Sequence, residues 1–158
     1  MPCDLLWESY LDTQIRAMTQ VSFYALSSTD QNSRQQFACR LAEKAVQLGH
    51  RVFLQVDSPE QARQIDALLW QFKPASFLPH AIAEPGQAAA EPLMIGTKSD
   101  QEAFEDVFIN LSATPCQNLD RYQRVNEVMS ADPEELELGR QSYRYYQQQG
   151  FKPETHKL

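Results

Sequence analysis

The chain has 158 residues, 42% hydrophobic and 22% charged, with a formal net charge of -7. These proportions describe one soluble globular domain with a sizeable core, and they exclude a disordered chain. The acidic balance also argues against non-specific nucleic-acid binding, whose affinity comes largely from phosphates neutralised by Lys and Arg.

Residues 1–17 offer a turn or two of weak amphipathic helix through Leu5, Leu6, Trp7 and Leu11. They read as an N-terminal extension outside the core fold, with translation starting at Met18 and one domain over 18–158. Val21–Leu26 is rich in β-branched and aromatic residues and predicts a strand. Ser27–Ser33 is polar and turn-like, with Asp30 or Asn32 as a helix cap. The spacing of Phe37, Leu41, Ala45 and Leu48 predicts a helix over 34–48, which Gly49 ends in the left-handed conformation. His50–Val56 carries an unbroken apolar run, the pattern of a strand buried on both faces.

Ser58 as cap and Pro59 at the first helical position open a second helix, whose Ile65, Leu68, Leu69 and Phe72 form a buried face. Pro74 and Pro79 then force a bend. That bent end carries Trp70, Phe77, Leu78 and His80, and is either core or an anchor for another protein. Residues 81–91 read as an Ala/Gly/Pro-rich loop. Strands are expected at 92–97, 104–111 and 125–129, with a short helix or turn at 119–124. Asp132-Pro133-Glu134-Glu135 opens a last helix, which runs to Gln149 and stops at Gly150. Strand and helix in alternation predict an α/β fold: a single domain with a mainly parallel sheet and flanking helices.

Such a sheet invites a nucleotide, but the loop after the first strand, Ser-Ser-Thr-Asp-Gln-Asn-Ser, contains no glycine, and no phosphate-loop motif occurs anywhere. Backbone amides cannot then wrap a pyrophosphate closely, and Asp30 would repel it. The expectation is a Rossmann-like fold without a nucleotide site and with no cofactor. His50, His80 and His156 are scattered and form no metal-ligand array. His50 and His156 read as surface residues, and His80 as a structural hydrogen-bonding group. Cys3, Cys39 and Cys116 are widely spaced, without C-x-x-C pairing, and read as free buried thiols in a reducing cytosol. Cys116 has no neighbouring histidine to activate it. Glu134 and Glu135 belong to a helix cap. The sequence offers no enzyme, no apolar run near the ~20 residues that span a bilayer, and no secretory signal.

In the last helix Arg140, Tyr143, Arg144 and Gln147 share one face, with Leu136 a turn earlier. One reading is a solvated face with intrahelical pairs from Glu137 to Arg140 or Arg144. The other is capture of an acidic, aromatic-containing peptide end, since Arg binds carboxylate in bidentate fashion and stacks on rings.

Ala67-Leu-Leu-Trp-Gln-Phe followed by Ser76-Phe-Leu-Pro-His80, the opening Val21-Ser-Phe-Tyr, and Gly139-Arg-Gln-Ser-Tyr-Arg-Tyr-Tyr with Gly150-Phe151 resemble the chi subunit family of the bacterial DNA polymerase III holoenzyme. The resemblance runs from about Met18 to the C-terminus. It implies an α/β accessory protein without catalytic activity, cytoplasmic and located at the replisome, with no direct sequence-specific DNA binding and no membrane attachment. It implies two partners: the psi subunit, which tethers chi to the clamp loader, and the acidic, Phe-ending C-terminal tail of single-strand DNA-binding protein. Carried over by position, the tail site comprises Met129, Arg140, Tyr143, Arg144 and Thr155. Arg140 would hold carboxylates of the tail, while Met129 and Tyr143 would shape the apolar pocket for its phenylalanine. The family often has a lysine where this chain has Leu136. Trp70 and Phe77 match psi-binding positions, a surface for which an XPD-related helicase competes in some bacteria.

Overall fold

The computed structural model describes residues 19–71, 78–83, 91–97 and 106–158. In chain order the elements are β1 (Gln20–Ala25), α1 (Gln31–Gln47), β2 (Val52–Gln55), α2 (Pro59–Gln71), β3 (His80–Ile82), β4 (Leu93–Gly96), β5 (Val107–Asn110), a 3-10 turn (Leu119–Arg121), β6 (Arg124–Met129), α3 (Pro133–Gln148) and β7 (Glu154–Lys157). The expected signals start and stop the helices. Asp30 accepts from the Asn32 amide and lets α1 begin at Gln31, three residues ahead of the expected start. Ser58 accepts from Gln61 N–H at 3.1 Å, and Asp132 from Glu135 N–H at 3.2 Å, each ahead of a proline at the first helical position. Gly49 and Gly150 adopt φ of +89° and +95° just beyond α1 and α3, where an L side chain would strain the backbone.

Seven strands form one sheet in the order β3-β4-β2-β5-β6-β1-β7, and every neighbouring pair is parallel. Parallel strands need crossovers, and these cover both faces of the sheet. On one face α1 and α2 pack Ala38, Cys39, Ala42, Ala62, Ile65 and Leu69 over Val52, Leu54, Leu93, Ile95, Val107 and Ile109. On the other, Tyr146 of α3 joins Val21, Phe23, Phe53, Met94, Phe108 and Val125. Residue by residue, β2, β4 and β5 alternate between these two clusters, the two-residue period of a strand buried on both sides.

Both edges of the sheet correct the sequence reading. His80–Ile82 belongs to β3 rather than to a bend and loop, and the C-terminal tail holds β7. A three-residue strand directly after Pro79 is too short to show a period. Glu154-Thr-His-Lys lies at a solvated edge, where apolar alternation is absent by nature. Among the described residues no helix is long and apolar enough to cross a membrane.

Candidate functional site

Helix α3 turns Gly139, Ser142 and Tyr146 inward. Arg140 and Arg144 therefore face solvent, and Tyr143 sits half-buried between the two environments. The Arg140 side chain is 63% exposed, and its Nη1 lies 3.1 Å from Glu137 Oε2, the intrahelical pair expected from the spacing. An exposed pair of this kind holds the guanidinium only loosely, so it stays available to another carboxylate. Tyr143 is fixed more firmly. Its ring lies 5.3 Å from that of Phe23, and its hydroxyl donates to the Pro153 carbonyl at 3.1 Å.

Thr155 of β7 stands opposite Phe23 of β1 in register. Phe23 belongs to the cluster on the α3 side, so Thr155 presents its side chain to that same side. Met129, the last residue of β6, packs on this cluster too. Its thioether lies against Gly139, the residue immediately before Arg140. The five sequence-selected residues thus gather at one corner, where α3 overlies the β1–β7 edge. Exposed Lys152 and Lys157 add positive charge along the return into β7.

The second selected surface lies at the opposite edge of the sheet. Trp70, near the end of α2, is 60% exposed, and its ring centroid is 4.8 Å from that of His80 in edge strand β3. The His80 side chain is only 1% exposed; Nδ1 lies 2.7 Å from the Leu78 carbonyl, and Nε2 lies 3.2 Å from Asp66 Oδ1. With its side chain enclosed at a half-buried strand start and Nδ1 against the Leu78 carbonyl, His80 is a structural group that seats Trp70. Phe77 lies outside the described residues. Leu69 is buried and Leu68 packs on the same core, as the helical spacing required.

A third constellation escaped the sequence reading. After β1 the chain leaves to α1 on one face, and after neighbouring β6 it leaves to α3 on the other, so a cleft opens at the C-terminal ends of these strands. Arg34 of α1 lines it. Its Nε donates to the Val128 carbonyl at 2.9 Å and Nη2 to the Leu111 carbonyl at 3.0 Å, while Nε lies 2.8 Å from Glu135 Oε1. Burial pulls the Arg34 pKa down, and Glu135 is the chief charge opposing that pull. Glu135, expected only to cap α3, also accepts from Ser130 and Gln31. Deeper in the cleft, Glu127 accepts from Tyr146 Oη and from Asn110 Nδ2, the latter at 3.0 Å. Burial pushes the Glu127 carboxyl up to about 7, and the hydrogen bonds from Tyr146 and Asn110 pull it back. Burial likewise raises the Tyr146 hydroxyl. The available signal was Glu127, a charge written into a strand beside Val125, Val128 and Met129; Arg34, between Ser33 and Gln35, offered none.

Cys39 and Cys116 are free and buried, and burial pushes each thiol up to about 12, which keeps them protonated and inert. Among the described residues no group of three or more His, Cys, Asp or Glu could hold a metal ion. Arg34 pairs with Glu135, and Glu127 with Asn110 and Tyr146, inside the fold, while aromatic and cationic groups are presented at its two edges. The class so defined is an α/β domain built on a wholly parallel sheet.

The family model described as DNA polymerase III chi subunit, HolC, matches residues 18–154, and the chain belongs to this family of accessory subunits. It is similar to the DNA polymerase III subunit chi of Pseudomonas aeruginosa, at 34% identity over 141 residues, covering 89% of this chain and 98% of the relative. It is also similar to the chi subunits of Escherichia coli, at 24% over 143 residues (87% and 97% covered), and Haemophilus influenzae, at 26% over 136 residues (84% and 93%).

Proposed function

We propose that the chain is a two-sided adaptor of the clamp-loader complex. Through Trp70 and Phe77 it binds the psi subunit. Through Met129, Arg140, Tyr143, Arg144 and Thr155 it captures the acidic C-terminal tail of single-strand DNA-binding protein, linking the replicase to coated lagging-strand template. The α3–β7 corner carries the reading: in a chain of net charge -7, two exposed arginines flank a half-buried tyrosine beside an open sheet edge. An acidic peptide ending in Phe complements that corner in both charge and apolarity. Leu136, half-buried one turn before Arg140, gives the site less charge and more apolar surface than a lysine would.

Calorimetry with a peptide of that kind tests the reading. Arg140→Ala should weaken binding by roughly 1.5–3 kcal/mol, the worth of a charge-assisted hydrogen bond. An unchanged affinity would remove Arg140 from the site. Trp70→Ala should abolish co-purification with psi and leave the peptide affinity unchanged; loss of both together would show a folding defect instead. The separation of β3 and β7 to opposite edges of the sheet supports this independence.

The same proposal makes the Rossmann-like sheet a scaffold without a nucleotide, because in the strand-end crevice where such folds seat one Arg34 is already committed to Glu135 and to the Val128 and Leu111 carbonyls. It places the protein in the bacterial cytoplasm at the replisome, with residues 1–17 as an extension ahead of the domain at 18–158; the family match, beginning at residue 18, supports that boundary. An XPD-related helicase would compete for the Trp70 surface, and a pull-down from extract would detect it together with psi.

A further inference from the structure

The α3–β7 corner lies beside the point where the N-terminal extension joins the domain. β1 and β7 are parallel, and Ser22 pairs with Glu154, so Gln20 and Lys152 enter the sheet at the same end. Thr19 fixes that point. It is buried, its hydroxyl donates to the Tyr122 carbonyl at 2.9 Å, and the next amide, Gln20 N–H, donates to the Gln123 carbonyl at 3.0 Å. Two residues on, Val21 packs with Tyr146 and Phe151 on the α3 side of the sheet. The extension therefore starts next to the C-terminal end of α3. Arg144 and Arg140 lie about one and two turns back from that end, the farther at about 12 Å. Trp7 is twelve residues ahead of Thr19, and a coil of that length spans roughly 20 Å, so the middle of the extension is within reach of both arginines.

Composition complements this placement. Residues 1–17 carry Asp4, Glu8 and Asp12, spaced four apart, against one cation, Arg16, and between those carboxylates stand Trp7 and Tyr10. The corner presents the opposite set: exposed Arg140, Arg144, Lys152 and Lys157 around half-buried Leu136 and Tyr143. Glu137 holds Arg140 only through an exposed bridge. Glu154, the carboxylate of β7, alternates to the opposite face of the sheet, where it lies 3.9 Å from His156 Nε2. The chain's own extension thus carries the acidic and aromatic character that fits the corner, and tethering gives it a local concentration in the millimolar range.

We propose that the acidic segment 4–12 docks on the α3–β7 corner of its own chain and competes there with an incoming acidic peptide. Its carboxylates pair with Arg140 and Arg144, and Trp7 lies over Tyr143. The competition rests on the tail-binding reading above; the contact itself does not. A partner's tail must displace this segment to bind, and a chain begun at Met18 lacks the competitor.

Calorimetry on the full chain tests the inference, with a synthetic acidic peptide ending in Phe as the probe. A disabled variant combines Asp4→Asn, Trp7→Ala, Glu8→Gln and Asp12→Asn, all ahead of the domain. It should bind the probe about tenfold tighter than the wild type, the factor expected for a local concentration of about 1 mM and a segment affinity of about 0.1 mM. A synthetic peptide of residues 1–17 should in turn bind the disabled chain, and Arg140→Ala with Arg144→Ala should abolish that binding. Equal probe affinity for the wild type and the disabled chain, with Arg140→Ala still weakening the probe, overturns the self-contact and leaves the tail reading standing. If Arg140→Ala leaves the probe unaffected, the tail reading falls and the competition with it. The titration with residues 1–17 then decides the contact alone, and absence of binding overturns it.

Discussion

Replacing Glu127 with Gln should remove a pH dependence built into the fold. Burial lifts the Glu127 carboxyl from an ordinary 4.5 to about 7, against hydrogen bonds from Tyr146 and Asn110 and the charge of Arg34. Between those pH values the folded chain holds a proton that the unfolded chain has released. The folded state therefore binds more protons, and stability falls as pH rises. The contribution is complete below pH 4.5 and lost once pH passes 7; at about 1.4 kcal/mol per pH unit the whole span is about 3 kcal/mol. A Gln at 127 keeps an oxygen that accepts from Tyr146 and Asn110, and it has no charge to desolvate. The variant should match the wild type at pH 4.5 and exceed it by about 3 kcal/mol at pH 8, or roughly 6–12 °C in Tm for a chain of this size. Urea denaturation followed by far-ultraviolet circular dichroism at several pH values measures the difference directly. Parallel stability curves for the two proteins would refute the reasoning, since other titrating groups cancel between them.

Arg34→Met should destabilise by about 3–5 kcal/mol in the same assay, because it strands the Glu135 carboxylate and leaves the Leu111 and Val128 carbonyls without their donor. Gly150→Ala should cost about 1–2 kcal/mol by placing a Cβ at positive φ. Cys39 and Cys116 should resist a thiol reagent such as Ellman's in the native protein and react fully in denaturant, and fast native labelling of either would contradict their burial.

Where chemistry repeats along the chain, the fold was legible. Asp30, Ser58 and Asp132 capped the helices they announced, Gly49 and Gly150 ended theirs, and the apolar run of β2 predicted burial on both faces while those of β4 and β5 predicted strands. Parallel pairing followed from the alternation of strand and helix. Edge elements were not legible, because β3 and β7 exist through register with β4 and β1 rather than through a pattern of their own. The helical spacing of Arg140, Tyr143 and Arg144 predicted a shared exposed end of one face. That Thr155 joins the same corner depends on its pairing with Phe23, which no local pattern encodes.

The buried network shows the limit most sharply. Arg34 reaches the Val128 carbonyl across 94 residues of sequence and the Leu111 carbonyl across 77. A periodicity argument assigns each residue to a face from its near neighbours, and on that footing Arg34 begins a helix while Glu127 interrupts a strand. Neither assignment predicts a partner. The physical clue is cost: a charge buried without compensation would lose several kcal/mol. A carboxylate buried in β6 thus demands donors from elsewhere in the chain. Asn110 and Tyr146 meet that demand, with the charge of Arg34 behind them, only because a parallel sheet brings the ends of β5 and β6 together beneath α1 and α3. The network therefore ties both helical layers to one end of the sheet, and the α3 that it anchors there is the helix that presents Arg140 and Tyr143.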